Sequence, residues 1–138
     1  MSKEMTGGCL CGAVRYKITG EPQFGGKCYC EDCRKTSGTG HVAVLAVGED
    51  GVEVKGTLSK FAKTGSSGQP ITRHFCPTCG SQVYVIAAAM PSTVMVRAST
   101  LDDPSAFESQ MSIFVSRAPA WDRPPAGSVT FDEMPPPQ

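Results

Sequence analysis

Seven cysteines fall into three close clusters: Cys9 with Cys11, then Cys28, Cys30 and Cys33, then Cys76 with Cys79. Seven thiols divide into four and three. Four cysteine ligands close a tetrahedral zinc site, and three leave one position open. Cys76-Pro77-Thr78-Cys79-Gly80 has the form of a metal knuckle, in which glycine takes the positive-φ position that closes the turn. Cys9 and Cys11, two apart in an extended segment, point to one side and can face the same ion. The two pairs therefore predict one structural zinc that ties the start of the chain to its middle. The competing readings are incidental buried thiols, or a thioredoxin-like role for Cys76 and Cys79, which no surrounding βαβ pattern supports.

Cys28, Cys30 and Cys33 do not fill a tetrahedron. Cys28 and Cys30 share one face of an extended segment, and Cys33 lies in the first turn of a predicted helix. A zinc held this way keeps a fourth position for water or a substrate atom. Two other outcomes stay open: His41 or His74 closes the site as a second structural centre, or Cys30 and Cys33 form a metal-free disulfide switch.

The rest of the chain limits what these thiols serve. With 138 residues, one domain spanning 1–138 is expected, with an irregular proline-rich tail from about 117. Thirteen basic and thirteen acidic side chains give no net charge, which argues against electrostatically driven nucleic-acid binding. The opening residues lack the apolar core of a signal peptide, and the longest apolar run, 83–90, is far short of the ~20 residues of a membrane helix. These features predict a cytoplasmic protein, where clustered thiols serve metal or redox chemistry rather than structural disulfides.

The elements that must position the clusters are mainly β. Alternation of apolar and charged residues over 13–18 predicts a half-buried strand, and β-branched content over 41–47 a buried one. Short strands are expected at 52–54, 58–61, 71–75, 81–88, 93–98 and 111–115, with another beginning near Phe24. A short helix over 31–37 ends at Gly38. Residues 65–70 are expected to form a mobile loop. Trp121 and Phe131 are expected to pin parts of the tail, Arg117 and Arg123 to be solvated, and 135–138 to fray.

Three blocks carry a resemblance: Gly8-Cys9-Leu10-Cys11-Gly12-Ala13-Val14, the run from Cys28-Tyr29-Cys30 through Cys33-Arg34-Lys35 to Gly38, and Arg73-His74-Phe75-Cys76-Pro77-Thr78-Cys79-Gly80-Ser81. Together with Pro119-Ala120-Trp121, the sequence resembles the glutathione-dependent formaldehyde-activating enzyme/centromere protein V family. The resemblance implies an Mss4-like fold of small antiparallel sheets stapled by zinc, with one or two short helices. It implies a structural zinc on Cys9, Cys11, Cys76 and Cys79 and a catalytic zinc on Cys28, Cys30 and Cys33. The implied activity is that of a carbon–sulfur lyase joining glutathione to formaldehyde. Tyr29 stands where the family usually carries histidine, which bears on the substrate more than on the metal. Arg34 and Lys35 are the nearest cations for the carboxylates of glutathione. A noncatalytic zinc-binding interaction module and a thiol redox sensor are the alternatives.

Overall fold

The computed structural model describes residues 4–135; the fraying expected of 136–138 lies outside the described residues. Ten strands and one α-helix follow in chain order: β1 (Glu4–Gly8), β2 (Arg15–Thr19), β3 (Phe24–Cys28), α1 (Glu31–Ser37), β4 (Val42–Gly48), β5 (Val52–Lys55), β6 (Ser59–Thr64), β7 (Pro70–Phe75), β8 (Gln82–Ala87), β9 (Thr93–Arg97) and β10 (Met111–Ile113). Short 3₁₀ turns complete the connections. The fold is mainly β, as the alternating patterns predict. The chain forms two compact units, one from Met1–Phe24 with Leu45–Phe107, the other from Gly25–Val44 with Glu108–Gln138.

In the first unit β1, β2 and β5 make an antiparallel sheet in that order. The alternation of β2 sends Tyr16 and Ile18 inward and Arg15 and Lys17 outward. Gly7 lies opposite Tyr16, and a Cβ there would sit 2.3 Å from the tyrosine oxygen. Only glycine lets the ring pass, and the phenol then meets Thr100 Oγ1 at 2.7 Å.

Strands β9, β8, β7 and β6 of the same unit pair antiparallel in that order. Val83, Val85 and Ala87 of β8 are buried, as are Val94 and Val96 of β9. Outermost β6 is largely exposed and carries Lys60 and Lys63, charges that discourage edge-to-edge pairing. The connection after β6 is better held than its glycine and serine content predicts. Gly65 N–H donates to Gln69 O at 2.9 Å, and Gly68 N–H to Gly65 O at 3.0 Å.

The second unit contains α1 and the short pair β3 and β10. These two run parallel, with Cys28 opposite Ile113, so not every pairing is antiparallel. β10 stops at Ile113 because Phe114 adopts a left-handed conformation, φ 56°. The tail then returns along β10: Phe131 N–H donates to Ser112 O at 2.9 Å, and Val115 N–H to Phe131 O at 3.1 Å. Phe131 thus marks an anchored stretch, but Trp121 does not, being 72% exposed. Its neighbours hold that loop instead, Asp122 through His41 and Arg123 through backbone carbonyls.

Candidate metal centres

The first centre is built from two turns of the first unit. Cys9 N–H donates to Val14 O and Gly12 N–H to Cys9 O, with Gly12 at φ 83°. The pair is therefore gathered by a tight turn rather than by the extended segment its spacing suggested. Cys76 repeats the pattern: its N–H donates to Ser81 O, and Gly80 N–H, from a residue at φ 80°, donates to Cys76 O. Backbone N–H groups point at sulfur in both turns, Val14 at Cys9 Sγ (3.2 Å) and Thr78 at Cys76 Sγ (3.4 Å). Ser81 links the turns: its hydroxyl accepts from Leu10 N–H and lies 3.2 Å from Cys79 Sγ.

The sulfurs of Cys9, Cys11, Cys76 and Cys79 all lie within 4.8 Å of one another. Cys9 to Cys11 and Cys11 to Cys76 are both 3.7 Å. A zinc–sulfur bond of about 2.3 Å gives a tetrahedron with an edge of about 3.8 Å, so the spacing fits that ion. The proton affinities fit as well. Ser81, through its hydroxyl and its N–H, draws the Cys79 thiol down to about 5. Cys11 is assisted by the Ala13 N–H, yet the adjacent Cys9 sulfur pushes it up to about 11. Sulfurs so close cannot all be thiolates on their own, and a dication removes the conflict.

The second centre lies wholly in the second unit. Cys28 ends β3, Cys30 caps α1, and Cys33 sits in its first turn, where its N–H donates to Cys30 Sγ at 3.2 Å. The helix begins at Glu31 and closes at Gly38 in the left-handed conformation, as the sequence predicts. The three sulfurs group within 4.8 Å, and among the described residues neither His41 nor His74 joins them. The sulfurs of Cys30 and Cys33, and after them burial, drive the Cys28 thiol far above its ordinary value. This is again a donor set that could hold a cation.

His74 stacks on Tyr84, ring centres 4.4 Å apart. His41 Nδ1 lies 2.7 Å from Asp122 Oδ2, and the His41 ring is 4.9 Å from that of Tyr29. Tyr29 is 1% exposed; burial, then the Asp122 carboxylate, raises its phenol. Arg34 and Lys35 differ in a way that composition hides. Lys35 is exposed and pairs with Glu31 at 3.4 Å, whereas half-buried Arg34 has no ion-pair partner among the described residues. Arg117 is exposed, as expected, and also pairs with Glu133 at 2.6 Å. Ser81 and Asp122 are the supporting residues that sequence reasoning did not single out. Ser81 had a signal in its place beside the knuckle glycine, and Asp122 had none.

The fold and its sulfur clusters define a small, mainly β protein able to hold two metal ions. The family model described as glutathione-dependent formaldehyde-activating enzyme matches residues 4–117, which draw on both compact units, and the chain belongs to that family. A Halomonas elongata protein, named as a candidate glutathione-dependent formaldehyde-activating enzyme, is 36% identical over 103 residues. The match takes in 71% of this chain and 66% of that relative, just under two thirds of its length. A crystal structure of a Rhodobacter sphaeroides protein superposes with a TM-score of 0.59 at 20% identity, over 92% of this chain and 99% of that one. That likeness concerns the fold.

Proposed function

We propose that the chain is a single zinc-binding domain acting as a carbon–sulfur lyase, which joins a small thiol such as glutathione to an aldehyde such as formaldehyde, or reverses that step. The carrying observation is the cluster of Cys28, Cys30 and Cys33, three sulfurs with no fourth protein ligand among the described residues. Cys9, Cys11, Cys76 and Cys79 hold the structural ion in this reading. Zinc on the three-sulfur cluster supplies, when bound, one open position and a lowered pKa for a thiol that occupies it.

The remaining work falls to the chain. α1 carries Cys33 and Arg34 side by side, so a carboxylate of glutathione on the Arg34 guanidinium brings its thiol toward the cluster. Arg34 is the better candidate because Lys35 already has Glu31. In the reaction the thiol sulfur bonds to the aldehyde carbon, the carbonyl π pair moves to oxygen, and the thiol proton ends on that oxygen. No redox partner is needed. Glutathione is kept reduced in the cytoplasm, which is the location this reading requires. No helix among the described residues is long and apolar enough to cross a membrane.

The test is exchange spectroscopy of glutathione, formaldehyde and S-hydroxymethylglutathione with zinc-loaded protein. Accelerated exchange that disappears in Cys30→Ser is expected. No acceleration at millimolar glutathione would favour the noncatalytic zinc module.

A further inference from the structure

Tyr29, His41 and Asp122 are distant in sequence and meet in the second unit. His41 Nδ1–H donates to Asp122 Oδ2 at 2.7 Å, and the other face of the contact is the Tyr29 ring, 4.9 Å from the imidazole and tilted by 40°. The pair is only partly covered, its side chains 24% and 22% exposed, while Tyr29 is buried. Gly40 is shaped to admit the carboxylate: a Cβ there would lie 2.2 Å from Asp122 Oδ2 and 2.5 Å from its Cβ. The loop that delivers Asp122 is itself fixed. Asp122 N–H donates to Pro119 O at 3.1 Å, and Arg123 Nη1 donates to Ala118 O at 3.1 Å.

Tyr29 is the residue between two cysteines of the open cluster. Cys28 belongs to β3, and Cys30 is extended at φ −63°, ψ 160°. Neighbouring side chains of an extended segment point to opposite sides, so Tyr29 leaves the backbone away from the two sulfurs. Its ring therefore acts from behind the ligands. The Tyr29 N–H is also tied, donating to Ile113 O at 3.0 Å.

We infer that Asp122, His41 and Tyr29 form a brace that sets the backbone presenting Cys28 and Cys30, making Asp122 a positioning residue of the open metal centre. It is neither a ligand nor a group that touches substrate, and it lies beyond the 4–117 span of the family match. Asp122 fixes the imidazole by accepting from Nδ1, the fixed ring confines Tyr29, and confined Tyr29 holds the spacing of the two sulfurs. The metal-supporting part of this inference rests on the proposed use of the three-cysteine cluster.

The experiment compares the full chain with Asp122→Ala, Asp122→Asn and Gly40→Ala. Zinc is withdrawn by a chromophoric chelator, and the cobalt-substituted forms are followed by their sulfur-to-metal charge-transfer bands. Outer supports of metal ligands typically contribute about 10- to 100-fold in affinity. Asp122→Ala should weaken the more labile zinc by that order, change its cobalt bands, and leave the tighter zinc and the thermal midpoint unchanged. Gly40→Ala should do the same by displacing the carboxylate, whereas Asp122→Asn, which keeps an acceptor, should stay close to wild type. Unchanged affinity in both alanine variants overturns the brace. So does loss of both zinc ions together with the cooperative melt in both variants, which would make the pair an anchor of the fold. Wild type that binds two zinc ions, responds to Asp122→Ala and lacks formaldehyde exchange keeps the brace and removes the enzymatic reading. An active wild type whose metal ignores Asp122 does the reverse.

Discussion

Cys11 Sγ and Cys76 Sγ stand 3.7 Å apart although 65 positions separate them. A metal bound there closes a long loop, and closure of a long loop removes much freedom from the unfolded chain. Structural zinc sites contribute on the order of 10 kcal/mol of apparent folding free energy. A domain is stable by only about 5–15 kcal/mol in total.

Cys76→Ser should therefore unfold or aggregate the chain. Cys30→Ser removes a ligand from a cluster whose members lie within one short segment, so it should lose one zinc and the activity while keeping a cooperative melt. Far-UV circular dichroism, metal content and thermal scans of the two variants decide the matter. Equal unfolding would make the second cluster another staple.

Metal should leave in two steps. The four-sulfur centre has its cysteines in two turns joined through Ser81, while the three-sulfur centre has no fourth protein ligand among the described residues. Chelator titration with metal analysis should release the second centre first. A single step carrying both ions would contradict the partition into four and three.

Arg34→Ala should raise the glutathione KM by about tenfold, in keeping with loss of a charge-assisted hydrogen bond. Lys35→Ala should have little effect, because the lysine already faces Glu31 across an exposed helix turn. Steady-state kinetics with glutathione and with a neutral thiol separate the two. Equal sensitivity of both thiols to Arg34→Ala would assign the arginine to the fold.

Arg15, assisted by Thr6, holds the Asp102 carboxyl down to about 2, against 3.8 for the free group. A lowered folded value means stability that is complete above the unfolded pKa and lost as pH falls through the folded one. Asp102→Asn should thus lower the urea midpoint by a constant amount from pH 8 to pH 5, with the gap closing only below about 3.8. A gap that already narrows between pH 7 and pH 5 would show that another group is responsible.

The cysteine spacings alone made both sulfur clusters legible, because residues that gather round one point obey short-range geometric rules. The helix at Glu31–Ser37 was legible for a similar reason, its cap and its closing glycine being local. The Cys9–Cys11 turn was misread because a Cys-x-Cys pair suits a strand or a tight turn equally well, and Gly12 decides between them only through its φ of 83°. Trp121 misled for another reason. A lone tryptophan in a proline-rich stretch suggests burial, yet the loop is held by its polar neighbours. Asp122 finding His41 across 81 positions is a tertiary event with no local sequence signature.

The topology of the second unit also dictates an order of events on the ribosome. Gly25 exchanges hydrogen bonds with Gln110, 85 positions later, and β3 waits for β10 in the same way. At about 5–20 residues per second, Cys28, Cys30 and Cys33 leave the exit tunnel on the order of ten seconds before β10 does. For that interval they are nascent thiols open to oxidants and stray ions, without the strand that later lies beside Cys28.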